Sequence, residues 1–498
     1  MTAAVWPKRP RRPALAAHVA GLTAAIAGVG IAISGIVEFI DGGPDAAVLL
    51  VFGAMLSIIG AAAWSSTTVP ARIRRADVFF VVTAAWVTLA VVGAFPYLLT
   101  GTLTRVDDAL FEAVSGFTTT GATVLRPVES QSAGILLWRS ITQWLGGMGV
   151  IVLVVAVLPT VSAGGMELLD AESPGPTGDR LRPKVRETAQ RLWAVYVGLT
   201  GATALGFAIA GMSAFDAVSH SFTTVSTGGF STYNRSIAHF ESAAIEWVAI
   251  VAMFLAGGSF ASYYRLLRGR AGSLLRSVEF RAYCALILGT STFVWISEAD
   301  AMGHGHDGAR GAMFSVVSIV TTTGYATVDF ASWSEAAQVM VLLLLPVGAM
   351  AGSTAGGVKL VRVLAVGSVA RRELARQLHP RLVRPVRVGA RVLDETVTNR
   401  VLGFLVLALA IFGTGMFAVS LTGEDLVTAF SASASAFGNV GPGLGAVGPT
   451  TDFLELSAPA RGVLQAVMLL GRLEIYPVLL ALFAIGGRVP IPRQPNMR

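Results

Sequence analysis

Four short segments of this chain resemble one another: Thr119-Thr120-Gly121, Thr227-Gly228-Gly229, Thr322-Thr323-Gly324 and Asn439-Val440-Gly441. Each follows a short stretch rich in Phe, Ser and Ala, precedes a longer apolar segment, and recurs about every hundred residues. Glycine lets a backbone adopt left-handed dihedrals that other residues resist, so main-chain carbonyls can turn inward together. Several inward carbonyls can replace the water around a cation. A fourfold repeat of such loops between apolar helices is a way to build a cation-selective pore from a single chain. The glycines Gly121, Gly229, Gly324 and Gly441 align, although Gly228 beside Gly229 lets the second loop slip by one residue.

The elements that must carry these loops are membrane helices. The chain has 498 residues, of which 54% are hydrophobic and 13% charged, against about 25% charged in soluble proteins; its mean hydropathy is +0.67. Crossing a bilayer takes about 20 apolar residues. Ten segments qualify: 13–40, 46–63, 77–99, 134–160, 190–212, 242–265, 278–297, 335–366, 399–420 and 461–487. Shorter apolar stretches at 105–120, 213–226, 308–322 and 423–437 are too short to cross and fit re-entrant half-helices. The first apolar stretch is too long to be the core of a cleavable signal. The expected fold is an all-α polytopic membrane protein of about ten transmembrane helices. Residues 1–76 hold two extra N-terminal spans, and the four span/half-helix/span repeats occupy 77–161, 162–268, 269–370 and 399–487. A basic loop at 371–398 and a tail at 488–498 complete the chain.

Charge sets the expected orientation. Lys8, Arg9, Arg11 and Arg12, then Arg72, Arg74 and Arg75, fall on one face if the ten spans alternate. So do Arg180, Arg182, Lys184 and Arg186, then Arg265, Arg268, Arg270 and Arg276, the run Arg371, Arg372, Arg376, Arg381, Arg384, Arg387 and Arg391, and Arg488, Arg493 and Arg498. Asp41, Asp45, Asp107, Asp108, Asp216, Asp300, Asp307, Asp329, Glu424 and Asp425 fall on the other. Both termini are therefore expected in the cytoplasm, in a multi-pass protein of the cell (inner) membrane. The net charge of +7 is topological and no sign of nucleic acid. The half-helices start from the acidic face and aim their negative C-terminal dipole ends at the cavity, which favours a cation there. Asp107 and Asp108 read either as concentrating cations at the mouth or as ordinary loop residues.

A second glycine-rich run, Gly352-Ser353-Thr354-Ala355-Gly356-Gly357, interrupts the eighth span. So many small residues cannot hold a membrane helix, and irregular backbone survives at that depth only where it lines a cavity or is buried in protein. Arg472 lies in the tenth span; a charge there is costly and should face the interior. Glu474 follows two residues later, a spacing that does not face Arg472 on a helix, so its partner is open. Lys359 reads as a cap on the broken helix or as a snorkelling flank.

In these loops the chain resembles the Trk/Ktr/HKT superfamily of potassium transporters, and is most similar to its bacterial TrkH type. The resemblance also rests on Gln143-Trp144-Leu145-Gly146-Gly147-Met148-Gly149, on Gly348 to Lys359 and on Arg472, and covers about residues 77–487. It implies potassium-selective uptake (K+ as the transported ion) through a pore made by one chain, in a homodimer within the lipid bilayer. It implies that the loop at 352–357 lies under the filter and, with Arg472, obstructs the pore. It further implies a TrkA-like cytoplasmic ring that binds nucleotides and regulates the pore. Within this family a Ser at the first filter glycine is associated with sodium conduction, and here Gly121 stands there.

Other readings fit less well. Alternating-access transporters usually show inverted repeats, whereas these repeats run in the same sense. An enzyme would need acid, base or metal ligands inside the spans, and none of the six His pairs with another ligand there. Gly352 to Lys359 fails the phosphate-loop pattern, because Lys does not follow the last Gly directly and no Ser or Thr comes next. His304-Gly305-His306-Asp307 reads as a polar turn more readily than a metal site. The single cysteine, Cys284, excludes a disulfide within the chain and reads as a small apolar side chain in a helix.

Overall fold

The computed structural model describes residues 12–67, 75–161, 185–269 and 271–485. Of the basic positions above, Lys8, Arg9, Arg11, Arg72, Arg74, Arg180, Arg182, Lys184, Arg270, Arg488, Arg493 and Arg498 lie outside the described residues. The fold is helical, as expected. Two helices, Arg12–Asp41 and Ala46–Ser65, precede the first repeat. They pack backbone to backbone: a Cβ on Gly53 would come 2.5 Å from Ala32 N, and one on Gly60 2.5 Å from Ala25 N. Small residues permit that approach where lipid supplies no hydrophobic drive. Glu38 ties this pair to the first repeat, its buried carboxylate accepting from Gly134 N at 2.7 Å.

Each repeat then runs helix, half-helix, loop, helix. The half-helices are Val106–Phe117, Ala214–Val225, His306–Val320 and Leu426–Gly438. At about 1.5 Å per residue none can cross a membrane. Two start on side-chain caps that satisfy the free N–H groups of a helix start: Ser213 accepts from Asp216 N, and Asp425 from Val427 N and Thr428 N. Unlike surface helices, the half-helices are buried nearly all round, with Ala109, Ala217, Ala312, Ala429 and Ala432 fully enclosed.

Among the described residues, six helices are long and apolar enough to cross a membrane. The span expected at 134–160 is the helix Ala133–Val161. Three of the ten expected spans are not straight helices. The segment at 242–265 bends by 97° between Ala243–Ala256 and Phe260–Leu267, at the Gly257-Gly258 pair. That at 461–487 bends by 114° after Arg472, where Glu474 and Ile475 both take positive φ (56° and 64°). The segment at 335–366 is helix only over Glu335–Leu344, and resumes as Leu360–Leu378 after a non-helical loop. The basic stretch after it is not a plain loop: it forms a hairpin in which Val386–Val388 pairs antiparallel with Arg391–Leu393.

Candidate functional site: a ring of four loops above an intramembrane loop

All four half-helices end in the same way. One or two residues past the end of each helix the backbone turns left-handed: Thr119, Thr227, Thr322 and Asn439 have φ of 53°, 57°, 59° and 55°. The next N–H reaches back five residues, from Thr120 to Ser115 O (2.9 Å), Gly228 to Thr223 O (2.8 Å), Thr323 to Ser318 O (2.8 Å) and Val440 to Ser435 O (3.0 Å). This hydrogen-bond pattern is a Schellman cap. A left-handed β-branched Thr is strained, and such strain persists only where the surroundings over-determine it. Asn439 tolerates that conformation better than Thr, which rationalises its place in the fourth loop.

Gly121, Gly229, Gly324 and Gly441 follow, with φ of 80°, 78°, 78° and 104°. The second loop therefore does not slip, and Gly229 is the matching glycine. Each glycine lies against a main-chain carbonyl of another loop. A Cβ on Gly121 would come 2.2 Å from Gly228 O, on Gly229 1.8 Å from Thr323 O, on Gly324 1.9 Å from Val440 O, and on Gly441 2.6 Å from Thr120 O. The contacts run from loop one to two, three, four and back to one, so the loops close a ring. On its acidic side lies a cavity of about 360 Å³ lined by all four glycines.

The loops differ in support. In the first and third, hydroxyls pair at 2.8 Å, Thr118 with Thr120 and Thr321 with Thr323. The second has no side chain at Gly228, and Gln143 fills the space, donating to Gly228 O at 2.7 Å and accepting from Phe230 N at 3.0 Å. In the fourth, Asn439 Nδ2 donates to Thr120 Oγ1 and Met468 O, both at 3.0 Å. Gly146 and Gly147 let the helix after the first loop approach: a Cβ on Gly146 would come 1.9 Å from Phe117 O.

The loop between Leu344 and Leu360 lies against the other side of this ring. Its feet are joined by a parallel pairing of Val347–Gly348 with Val358–Lys359. Gly356 N donates to Thr322 Oγ1 at 2.8 Å, and Thr354 Oγ1 to Val225 O at 3.0 Å. Ser353, Thr354 and Ala355 are buried. Gly352 and Gly357 take positive φ (76° and 64°), and Gly352 O accepts from Phe260 N at 3.1 Å. Arg472 is 2% exposed and donates to Thr354 O at 2.7 Å and to Gly146 O at 3.3 Å. It thus holds a carbonyl of this loop, while Glu474 pairs with Arg362 at 2.6 Å.

Of three further contributors, the sequence leaves one between two readings and does not single out the other two. Lys359 does not snorkel: it is buried and its ammonium donates to Ala355 O. Glu279 accepts from Ala351 N at 2.7 Å. Arg139 pairs with Glu112 beside the first two loops. A charge inside an apolar segment was the available signal for all three. On the acidic side, Asp107 and Asp108 are engaged by Arg461, at 3.2 Å and 2.6 Å, so they brace the first and fourth repeats. Arg126 is held above the usual arginine range by its hydrogen bond to Asp452. Among the described residues, no three His, Cys, Asp or Glu side chains gather as a metal site.

The family model described as "TrkH: Cation transport protein" matches residues 46–299 and 300–486. The Trk system potassium uptake protein TrkH of Salmonella typhimurium is 37% identical over 93% of this chain and 96% of its own. Trk system potassium uptake protein TrkG of Escherichia coli is 36% identical over 85% and 88%. The crystal structure of the potassium transporter TrkH from Vibrio parahaemolyticus superposes with a TM-score of 0.86 at 33% identity, covering 95% of this chain and 99% of that one. With its ring of four matching loops among membrane-length helices, the chain belongs to the TrkH family of cation transport proteins.

Proposed function

We propose that this protein takes up potassium across the cytoplasmic membrane, with the four loops as its selectivity filter. The closed ring of glycine-to-carbonyl contacts carries this reading, because each left-handed glycine frees the backbone to turn its carbonyls toward a common axis. The filter residues are Thr119, Thr120 and Gly121, Thr227, Gly228 and Gly229, Thr322, Thr323 and Gly324, and Asn439, Val440 and Gly441. The names of the relatives, all potassium uptake proteins, support potassium as the ion.

Gly352 to Gly357 and Arg472 form the gate. The buried guanidinium under the filter repels a passing cation and fixes the loop through Thr354 O. The acidic side faces outward and the basic side inward, with both termini cytoplasmic. Opening is driven by a TrkA-like nucleotide-binding ring that moves the helix Leu360–Leu378, and the chain works as a homodimer. The test is potassium against sodium flux in proteoliposomes, for this chain and for Gly121→Ser. Potassium-selective flux that loses selectivity in the variant is the expected result. Equal permeation of both ions by the unaltered chain would overturn the reading.

A further inference from the structure

Behind the first two loops lies an ion pair with almost no access to solvent: Arg139 is 2% exposed and Glu112 not at all. Arg139 Nε donates to Glu112 Oε1 at 2.8 Å. The other two guanidinium nitrogens serve different loops. Nη1 donates to Ser231 O, just past the second loop, at 2.9 Å, and Nη2 to Thr123 Oγ1, just past the first, at 3.2 Å. The plane also rests on Phe230, 4.1 Å from the ring centroid. Glu112 in turn accepts from Thr123 Oγ1 at 2.9 Å and Val124 N at 3.0 Å. One pair therefore fixes the acidic-side ends of two neighbouring loops against each other.

Stability alone is a poor reason for such a pair, because a well-packed apolar pair is often as stable or more so. What it supplies is directed hydrogen bonding, which an apolar pair cannot. The other repeats sharpen the contrast. Nine residues before the matching glycine stand Glu112, His220, Ser315 and Ala432. His220 makes the corresponding contact, Nε2 to Ser231 Oγ at 2.9 Å. The third loop is tied instead through Tyr325, whose hydroxyl meets Thr223 Oγ1 at 2.5 Å. The fourth is tied to its own half-helix, Ser435 Oγ donating to Gly441 O at 2.8 Å. The Arg126–Asp452 and Arg461–Asp108 pairs join the first and fourth repeats, but it is between loops one and two that a buried ion pair hydrogen-bonds the loop ends themselves.

We propose that Arg139 and Glu112 are positioning residues for ion selectivity, fixing the spacing of the first and second filter loops without touching the ion. The proposal rests on the four loops being the filter. A filter that discriminates between ions of different radius must resist relaxing around the smaller one, so its wall must be stiff. Loss of the brace lets loops one and two close on sodium.

The experiment measures potassium and sodium uptake by the full chain in a bacterium lacking its own potassium uptake systems. The double variant Glu112→Leu/Arg139→Met leaves no unpaired buried charge. Phe230→Leu and Thr123→Val each remove one contact of the guanidinium. The expected result is a potassium-over-sodium ratio about tenfold lower in the double variant and about threefold lower in each single variant, with potassium uptake kept within about threefold. A merely structural role would lower uptake of both ions together and leave the ratio alone. Should the double variant fail to reach the membrane, the two single variants decide, and an unchanged ratio in both overturns the proposal. Gly121→Ser, run alongside, separates the two levels. If it lowers the ratio and the brace variants do not, this proposal alone falls; if it too has no effect, the filter reading falls with it.

Discussion

The ring of four loops and the loop between Leu344 and Leu360 are both runs of glycine and small hydroxyl residues, yet they are held in different ways. The ring is fixed by repetition: four Schellman ends, four left-handed glycines and four glycine-to-carbonyl contacts, each depending on its neighbours. The intramembrane loop has no repeat to copy. Single side chains hold it, Arg472, Glu279 and Thr322 from other segments and Lys359 from its own foot. Main-chain interlocking gives a structure that one substitution disrupts everywhere. A few side-chain bonds give a structure that one movement can release. Glycine content alone does not separate the two; the source of the hydrogen bonds does.

The glycines of the ring offer the largest effect. An added Cβ brings both left-handed strain and a collision with main chain that has little room to yield. Alanine at Gly229 or Gly324, with clearances of 1.8 and 1.9 Å, should abolish potassium uptake, while Gly441→Ala, at 2.6 Å, should retain some. Uptake in a strain lacking other potassium systems measures the order. If Gly441→Ala is as damaging as Gly229→Ala, the graded contacts do not govern the ring.

The intramembrane loop should respond in the opposite direction. A charge-assisted hydrogen bond contributes roughly 1.5–3 kcal/mol, so Arg472→Ala should raise flux through the chain alone by roughly ten- to a hundredfold, at about 1.4 kcal/mol per factor of ten. Glu279→Ala should raise it less, by about threefold, and Glu279→Gln less again because its amide oxygen still accepts from Ala351 N. Selectivity should stay within about twofold of the unaltered chain in all three. Liposome flux reads both quantities. Lower flux in Arg472→Ala would mean that the loop and the arginine do not close the pore.

The same contrast explains what the sequence made legible. The four loops stood out because repetition is visible in one chain: small residues recur at matching places after buried half-helices. The break at Gly352 to Gly357 was also visible, since no apolar helix tolerates that run. The ties across repeats were not. Glu279 and Ala351 are 72 residues apart, and nothing local pairs them. The bend after Arg472 was missed because Leu473-Glu474-Ile475 carries no glycine or proline, and the two residues in left-handed geometry there, Glu474 and Ile475, are poor candidates for it by type. For Lys359 the sequence leaves a cap and a flank both open, because long basic side chains near a helix end usually reach water. Here the main chain of the loop folds over it and supplies Ala355 O instead.

The smallest effect belongs to the far end of the fourth half-helix, where neither ring nor loop is touched. Asp425 caps Leu426–Gly438, accepting from Val427 N at 2.9 Å and Thr428 N at 3.0 Å. The Thr428 hydroxyl is the chief reason its carboxyl titrates below the usual range. A carboxyl with a lowered folded pKa stabilises the fold above its unfolded pKa, about 3.9. That contribution is lost as pH falls through the folded value. Asp425→Ala should cost about 1 kcal/mol, as for other helix N-caps, seen as a small drop in melting temperature at neutral pH that shrinks under acid. Potassium selectivity should not change, because the ring is held at the other end of that helix by Ser435 and Asn439. A loss of selectivity in Asp425→Ala would instead mean that the half-helix transmits strain along its length, and that the ring is less self-contained than its interlocking contacts imply.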